Sequence, residues 1–219
     1  MTTEREKDRA AQVAAGLVEE GMRVGLGTGS TVAYLLRALA ARRLDVRCVS
    51  TSPATEKAAR DLGMSIEPFN GTEALSRLDI AIDGADQVAP SGWLVKGGGA
   101  AHTREKAVAA AADRFVVIIS SDKLVERLSP PVPLELADFG LSATLRRLGT
   151  VRLRDVPRSP DGGVIADYTA DFDDPGELAR RLADTVGVVE HGLFPAAMVA
   201  QVVVAKGEQV EIRNISGEA

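Results

Sequence analysis

Cysteine, histidine and aromatic residues are all scarce in this chain: one Cys, two His and an aromatic share of 4% among 219 residues. A single thiol allows neither an intramolecular disulfide nor a cysteine-based zinc cluster. Cys48 sits in the apolar run Asp45-Val-Arg-Cys-Val-Ser50 and reads as a small buried hydrophobe. His102 and His191 lie far apart, and neither has ligand-type spacing to Cys, Asp or Glu, so no metal site is expected. Long apolar runs are missing too. Nothing approaches the roughly 18 consecutive apolar residues that cross a bilayer, and the charged start Glu4-Arg-Glu-Lys-Asp-Arg9 is no secretory signal. No membrane contact and a cytoplasmic location are therefore expected. There is no surplus of base either. With 26 Lys and Arg against 31 Asp and Glu, the net charge is -5 and no basic stripe could neutralise a phosphate backbone, which excludes nucleic acid as an expected partner.

What the chain does have is an ordinary globular balance, 45% hydrophobic and 26% charged, enough for a core in one large domain or in a medium domain carrying a smaller one. Apolar spacing predicts a helix over 4–20, stopped at Gly21, then a short buried strand Met22–Gly27 and a helix over 31–43. The alternation continues with strand 46–50, helix 55–62, strand 78–82, helix 103–112 and strand 115–120. Such alternation implies a Rossmann-like α/β fold, a mostly parallel sheet with helices on both faces. Beyond Ser120, Pro130, Pro131 and Pro133 break the pattern. Strand 132–136, helix 142–148, strand 151–156, strand 164–169, helix 175–186 and strand 188–194 follow, the βαββαβ order of a ferredoxin-like α+β unit. A final hairpin, 201–205 with 208–215, is placed to return to the main sheet. The expected division is a large α/β catalytic domain of 1–127 with 197–219, and a small ferredoxin-like domain of 128–196.

The first strand runs into Gly25-Leu-Gly27-Thr28-Gly29-Ser30-Thr31 at the start of a helix, where inward backbone amides and the helix dipole suit a phosphate. Ser30 stands where a dinucleotide fingerprint needs its third glycine, and no acid ends the second strand, so NAD is disfavoured. The lack of a lysine beside Ser30 argues equally against a nucleoside triphosphate. A hydroxyl-lined cup for a simple phosphate ester remains, with a purely structural turn capped by Ser30 or Thr31 as the plainer alternative.

Strand 78–82 delivers Asp83-Gly84-Ala85-Asp86 to its carboxyl end, where open α/β sheets bind ligands. A four-residue loop, Ala89 to Gly92, would then pair Val88 with Trp93 and Ala85 with Lys96, bringing Lys96 back to both aspartates. Lys96 leads into Gly97-Gly98-Gly99, and a cation beside such a loop can hold a developing oxyanion. Glu105 falls in the first turn of the next helix, where the dipole would keep it ionised, as a C–H proton shuttle requires. Lys123 follows the strand 115–120 on the same sheet edge. No G-x-S-x-G elbow exists, so nucleophilic hydrolase chemistry has no support.

Together, Gly25-x-Gly-Thr-Gly-Ser-Thr31, Ser50-Thr-Ser-x-x-Thr55, Asp83-Gly-Ala-Asp86, Lys96-Gly-Gly-Gly99 with Arg104-Glu105-Lys106, and Lys123 resemble the ribose-5-phosphate isomerase A family, as does Gly187-Val-Val-x-x-Gly-Leu-Phe194. The resemblance implies an aldose-ketose isomerase of the pentose phosphate pathway that needs no cofactor. Its proton acceptor would be Glu105, with Asp83, Asp86 and Lys96 beside it. Sugar phosphate would touch Thr28, Gly29, Ser30, Thr31, Asp83 to Asp86, Lys96, Gly97, Gly98, Gly99 and Lys123, and Lys7 stands where the family often places a base near the phosphate. A homodimer or dimer of dimers is implied as well. Gln87 and His102 depart from the family pattern, where Glu and a hydrophobic residue are frequent. Two other readings of the same residues are a sugar-phosphate sensor without chemistry and a coenzyme A transferase using a glutamate nucleophile.

Overall fold

The computed structural model describes residues 3–215. In chain order the elements are α1 (Thr3–Ala15), β1 (Arg23–Leu26), α2 (Ser30–Arg42), β2 (Arg47–Ser50), α3 (Pro53–Asp61), β3 (Ile80–Asp83), β4 (Gln87–Val88), β5 (Leu94–Val95), α4 (His102–Ala111) and β6 (Phe115–Ser120). Then come β7 (Val132–Leu136), α5 (Leu141–Leu148), β8 (Val151–Leu153), β9 (Val164–Tyr168), α6 (Pro175–Ala183), β10 (Val188–His191), β11 (Leu193–Phe194), β12 (Gln201–Lys206) and β13 (Gln209–Asn214).

Six strands form the main sheet in the order β13-β12-β6-β3-β1-β2, parallel throughout except for the β12–β13 hairpin. Both faces are covered, which is why its strands read as continuous apolar runs. Within Phe115–Ile119, Val116 and Ile118 pack with α1 and α2, while Phe115, Val117 and Ile119 face the opposite side with Val108 of α4. Ile80 and Ile82 face the first side and Ala81 the second, the alternation that a strand imposes. Cys48 is fully buried in the first layer, and burial pushes its thiol up to about 12. From β1 the chain crosses to β2 on one side and returns to β3 on the other. The carboxyl ends of β1 and β3 therefore form a topological switch point, the crevice where such sheets accept ligands.

The second sheet has the order β10-β7-β9-β8, entirely antiparallel, which is the ferredoxin-like arrangement implied by βαββαβ. Its core gathers Leu134, Leu136, Ala166 and Tyr168 against Leu178 and Leu182 of α6. The final hairpin joins the main sheet as expected, β12 lying parallel to β6.

Several expected boundaries shift. Helix α1 ends at Ala15 rather than at residue 20, because Gly16 is a poor helix former and tight i→i+3 turns take over (Leu17 N to Ala14 O, 3.0 Å). Helix α6 stops at Ala183, with Asp184 as its C-cap, short of residue 186. Strand β8 closes at Leu153 instead of 156. The expected strand 188–194 splits into β10, which belongs to the antiparallel sheet, and β11, which pairs with β5 in a separate three-stranded sheet. Gly192 marks the break. A Cβ there would lie 2.1 Å from the carbonyl oxygen of Lys96, so only glycine lets the two backbones approach.

The β4–β5 register also differs from expectation. Val88 pairs with Leu94 and Gln87 with Val95, one residue beyond the expected alignment. The turn is not a four-residue loop: Gly92 N donates to Ala89 O, Ala89 N donates to Trp93 O, and Gly92 has φ +80°, as in a three-residue loop closed by a glycine bulge.

Candidate active site

At the switch point, Asp83 ends β3 with its carboxylate turned into the protein. Its Oδ1 accepts hydrogen bonds from the amides of Thr28 (3.0 Å) and Gly84 (2.7 Å). Only glycine at 27 permits this, since a Cβ there would fall 1.9 Å from the same oxygen. The glycine turn after β1 and the acid after β3 are therefore one unit. The turn is fastened from the β2–α3 junction as well: Thr28 Oγ1 lies 2.7 Å from Thr51 Oγ1, and Thr55 Oγ1 of α3 donates to Gly27 O at 2.8 Å. Gly29, with φ +113°, is the N-cap of α2, and no side chain caps that helix. Neither Ser30 nor Thr31 is spent on capping, so hydroxyls and first-turn amides remain for a ligand.

Behind this rim lies a buried tripod. Lys96 Nζ stands 2.9 Å from Asp83 Oδ2, 2.6 Å from Gly84 O and 3.0 Å from Glu105 Oε2. Asp83, Lys96 and Glu105 are 3%, 2% and 4% exposed, so these charges interact with little help from water. Of the three N–H donors of an ammonium, two are hydrogen-bonded to Asp83 Oδ2 and Gly84 O, while Glu105 Oε2 is held as an ion-pair contact. Lys96 also lies 5.4 Å from the centroid of Phe194, and its backbone amide donates to Gly192 O at 2.8 Å. Burial opposes the charge on Lys96, but Asp83 and Glu105 outweigh it and hold its pKa above the ordinary value.

Glu105 corrects the expectation from helix position. Burial, reinforced by the neighbouring Asp83 charge, pushes its carboxyl up to about 7, against the opposing pull of Lys96. Desolvation outweighs the helix dipole here. A base near neutrality is well matched to proton transfer at physiological pH.

The residues expected at the site converge on one cleft of about 190 Å³, lined by Thr28 to Thr31, Gly84 to Asp86, Lys96 to Gly99, Glu105, Lys123 and also Lys7. Asp83 alone of the expected set does not line it. Its oxygens are engaged by the two amides and by Lys96, which places it beneath the cleft as a support. Asp86 is exposed to the cleft, and its Oδ2 accepts from Gly98 N at 2.7 Å. Lys123 arrives on a single 3₁₀ turn after β6. Glu6, which the sequence gave no reason to single out, ties that turn to α1 by accepting from Ser121 N and Ser121 Oγ, both at 2.9 Å. A second, larger groove of about 940 Å³ adjoins the cleft across Thr28, Gly98 and Gly99 and is walled by Arg152 to Arg158. Among the described residues, no group of three or more His, Cys, Asp or Glu side chains is placed to hold a metal ion, and no helix is long and apolar enough to cross a membrane.

Comparison with known proteins fits this geometry. Residues 47–209 match the family model for ribose 5-phosphate isomerase A (phosphoriboisomerase A). The chain belongs to the ribose-5-phosphate isomerase A family. Among curated family members, the isomerase of Halobacterium salinarum is 45% identical over 95% of this chain and 96% of its own length, and that of Caulobacter sp. strain K31 is 43% identical over 89% and 91%. Among solved ribose-5-phosphate isomerase A structures, the Neisseria gonorrhoeae protein superposes with a TM-score of 0.91 at 30% identity, covering 99% of each chain. A D-ribose-5-phosphate isomerase in complex with phospho-erythronic acid superposes at 0.89 with 32% identity, covering 98% of this chain and all of that one.

Proposed function

We propose that the chain interconverts D-ribose 5-phosphate and D-ribulose 5-phosphate through an enediolate formed in the 190 Å³ cleft. The observation that carries this reading is the buried Asp83–Lys96–Glu105 tripod facing an uncapped helix N-terminus. The helix end, with Thr28, Ser30, Thr31 and Lys123, takes the phosphate and leaves the sugar carbons toward Glu105. Asp86, on the cleft wall, assists the proton shift that opens the furanose ring, while Asp83 holds the lysine from below. Glu105 then takes the C2 proton of the aldose and returns it to C1, while the hydroxyl proton of O2 passes to O1. One carbon is reduced as its neighbour is oxidised within the same molecule, so the electrons balance without an external oxidant.

Charge compensation makes the tripod suited to this step. When Glu105 is ionised, its charge is matched by Lys96. Once Glu105 has accepted the proton, that negative charge reappears on the substrate oxygen, and the same ammonium, with the amide of Gly99, can turn to it. Interactions that strengthen only as charge develops lower the barrier and not the ground state.

Formation of the ketose from ribose 5-phosphate by the purified chain tests the proposal; a chain that binds the sugar phosphate without converting it would be a sensor. The cytoplasm as its compartment, and assembly as a homodimer or dimer of dimers, belong to the same proposal, and sedimentation equilibrium decides the latter.

The acid limb of activity should follow Glu105. The base works only ionised, so kcat/KM rises with pH up to about 7, the value to which burial lifts this carboxyl, and levels above it. Stability runs the other way. A carboxyl raised above its ordinary 4.5 binds its proton more tightly in the folded chain, so its contribution is fully present below 4.5 and is lost as pH rises through about 7. A pH–rate profile without an inflection in this range would remove Glu105 from the role.

Phosphate recognition has its own signature. Thr28→Val and Ser30→Ala each remove one hydroxyl at the rim of the cleft and should raise KM for ribose 5-phosphate by about tenfold, with kcat nearly unchanged, since a hydrogen bond to a charged group is worth about 1.5–3 kcal/mol. Equal inhibition by ribose and by its phosphate ester would contradict the assignment.

A further inference from the structure

Arg154, from the antiparallel sheet unit, hydrogen-bonds the backbone of the glycine loop of the cleft. It follows β8, and its guanidinium is held bidentately by Asp167 on β9: Nε donates to Oδ2 at 3.0 Å and Nη2 to Oδ1 at 2.6 Å. The remaining nitrogen, Nη1, donates to Gly97 O at 2.9 Å and Gly98 O at 3.2 Å. The Arg154 side chain is 16% exposed and that of Asp167 5%, whereas nearby Arg152 is 74% exposed and only brushes Asp167 at 3.7 Å. A planar fork aligned at both ends is a placement device, which a flexible point charge cannot reproduce.

The loop it grips needs such a device. Gly97 has φ +107°, and Ala100, a residue with a Cβ, sits at φ +59° in the left-handed region, which costs free energy unless the surroundings enforce it. Gly98 N is committed to Asp86, and among the described residues the Gly99 amide donates to no protein acceptor. That amide is therefore available to the cleft. The helix that carries Glu105 is secured separately from the same unit: Thr103 bonds to Glu135, Arg104 pairs with Asp161 at 2.7 Å, and Lys106 donates to Glu190 Oε1 and His191 O, both at 2.6 Å. Loss of Arg154 would thus free the loop while leaving the base anchored.

We propose that Arg154, oriented by Asp167, is a positioning residue for the isomerisation: it locks the Gly97 and Gly98 carbonyls so that the Gly99 amide faces the substrate oxygen on which the enediolate charge develops. This rests on the isomerase reading above. Because that amide acts when charge appears, its misplacement lowers kcat and leaves ground-state binding at the helix end intact.

The test uses Arg154→Met, Arg154→Lys, Asp167→Asn and the Arg154→Met/Asp167→Asn double variant of the full chain, assayed on ribose 5-phosphate with inorganic phosphate as competitive probe. For Arg154→Met, kcat should fall by about 10–100-fold while KM and phosphate inhibition stay within about threefold. Arg154→Lys should recover part of kcat, and the double variant should be no worse than Arg154→Met, as expected of one unit. Deuterium uptake by the segment 96–101 should rise in Arg154→Met and Asp167→Asn but stay unchanged in the helix 102–111. Wild-type kcat with unaltered uptake, a loss confined to KM, or a loss that merely tracks the unfolded fraction would overturn the proposal. If Arg154→Met does not fold, Arg154→Lys and Asp167→Asn carry the same kcat-against-KM comparison. The exchange measurement reads the loop even if the wild-type chain were to show no isomerase activity, so failure of the clamp and failure of the isomerase reading remain distinct.

Discussion

Replacing Glu105 by glutamine should leave a folded protein that has lost turnover by at least ~10², the usual contribution of a positioned base. The amide is nearly isosteric, so packing around α4 is kept, but it cannot accept the substrate proton at any accessible pH. Binding should survive. Affinity for phospho-erythronic acid, the ligand of a solved relative, should stay within roughly threefold of wild type, because the phosphate site proposed above is at the N-terminus of α2 and does not use the carboxyl. The acid limb near pH 7 should vanish from whatever activity remains. Turnover at the wild-type rate would show that another group removes the proton.

Lys96→Met should be still more disruptive, because it acts on folding as well as on chemistry. The ammonium separates two carboxylates that are almost wholly buried. Without it, one of them must take up a proton or both must remain charged in a poorly solvated pocket. Breaking a buried ion pair from one side costs about 3–5 kcal/mol, so thermal unfolding at neutral pH should move to clearly lower temperature. Part of that loss should return on acidification, as Glu105 protonates. Turnover should fall by about 10²–10³, the penalty for a missing oxyanion partner. Lys96→Arg is not expected to rescue either property, since a planar guanidinium cannot address three acceptors disposed around one nitrogen. Unchanged melting and unchanged kcat in Lys96→Met would dismantle the tripod argument.

The main sheet was legible because burial on both faces writes itself into composition: Phe115 to Ile119 and Ile80 to Ile82 are apolar throughout. The βαββαβ order was equally plain from its alternating periods. Local geometry was harder. The glycine bulge at Gly92 moves the hairpin by one residue, and nothing in Ala89-Pro-Ser-Gly92 distinguishes a four-residue loop from a three-residue loop with a bulge. Likewise, Val188-Val-Glu-His-Gly-Leu-Phe194 is short enough to read as one strand, although Gly192 passes the chain from one sheet to another. At the cleft, residue types and their strand-end positions led to Glu105, Lys96 and the Thr28–Thr31 turn. What they could not convey was degree of burial. Asp83 and Asp86 look equivalent in Asp83-Gly-Ala-Asp86, yet one is sealed under the glycine turn and the other faces the cleft. The helix position of Glu105 points to an ionised carboxylate, whereas burial and the Asp83 charge raise its pKa against the pull of Lys96. Arg154 and Glu6 act across 56 and 115 residues of chain, and no local pattern announces such a reach.

The buried Cys48 gives the fold an internal reporter. It lies on β2, the outermost strand at one end of the main sheet, and Ser50 of that strand is followed by Thr51, which touches Thr28 at the phosphate rim. A thiol-directed dye can reach it only when that edge peels away, so labelling times opening of the sheet next to the cleft. Saturating sugar phosphate, by bracing the neighbouring turn, should slow the dye, turning a lone inert side chain into a gauge of occupancy.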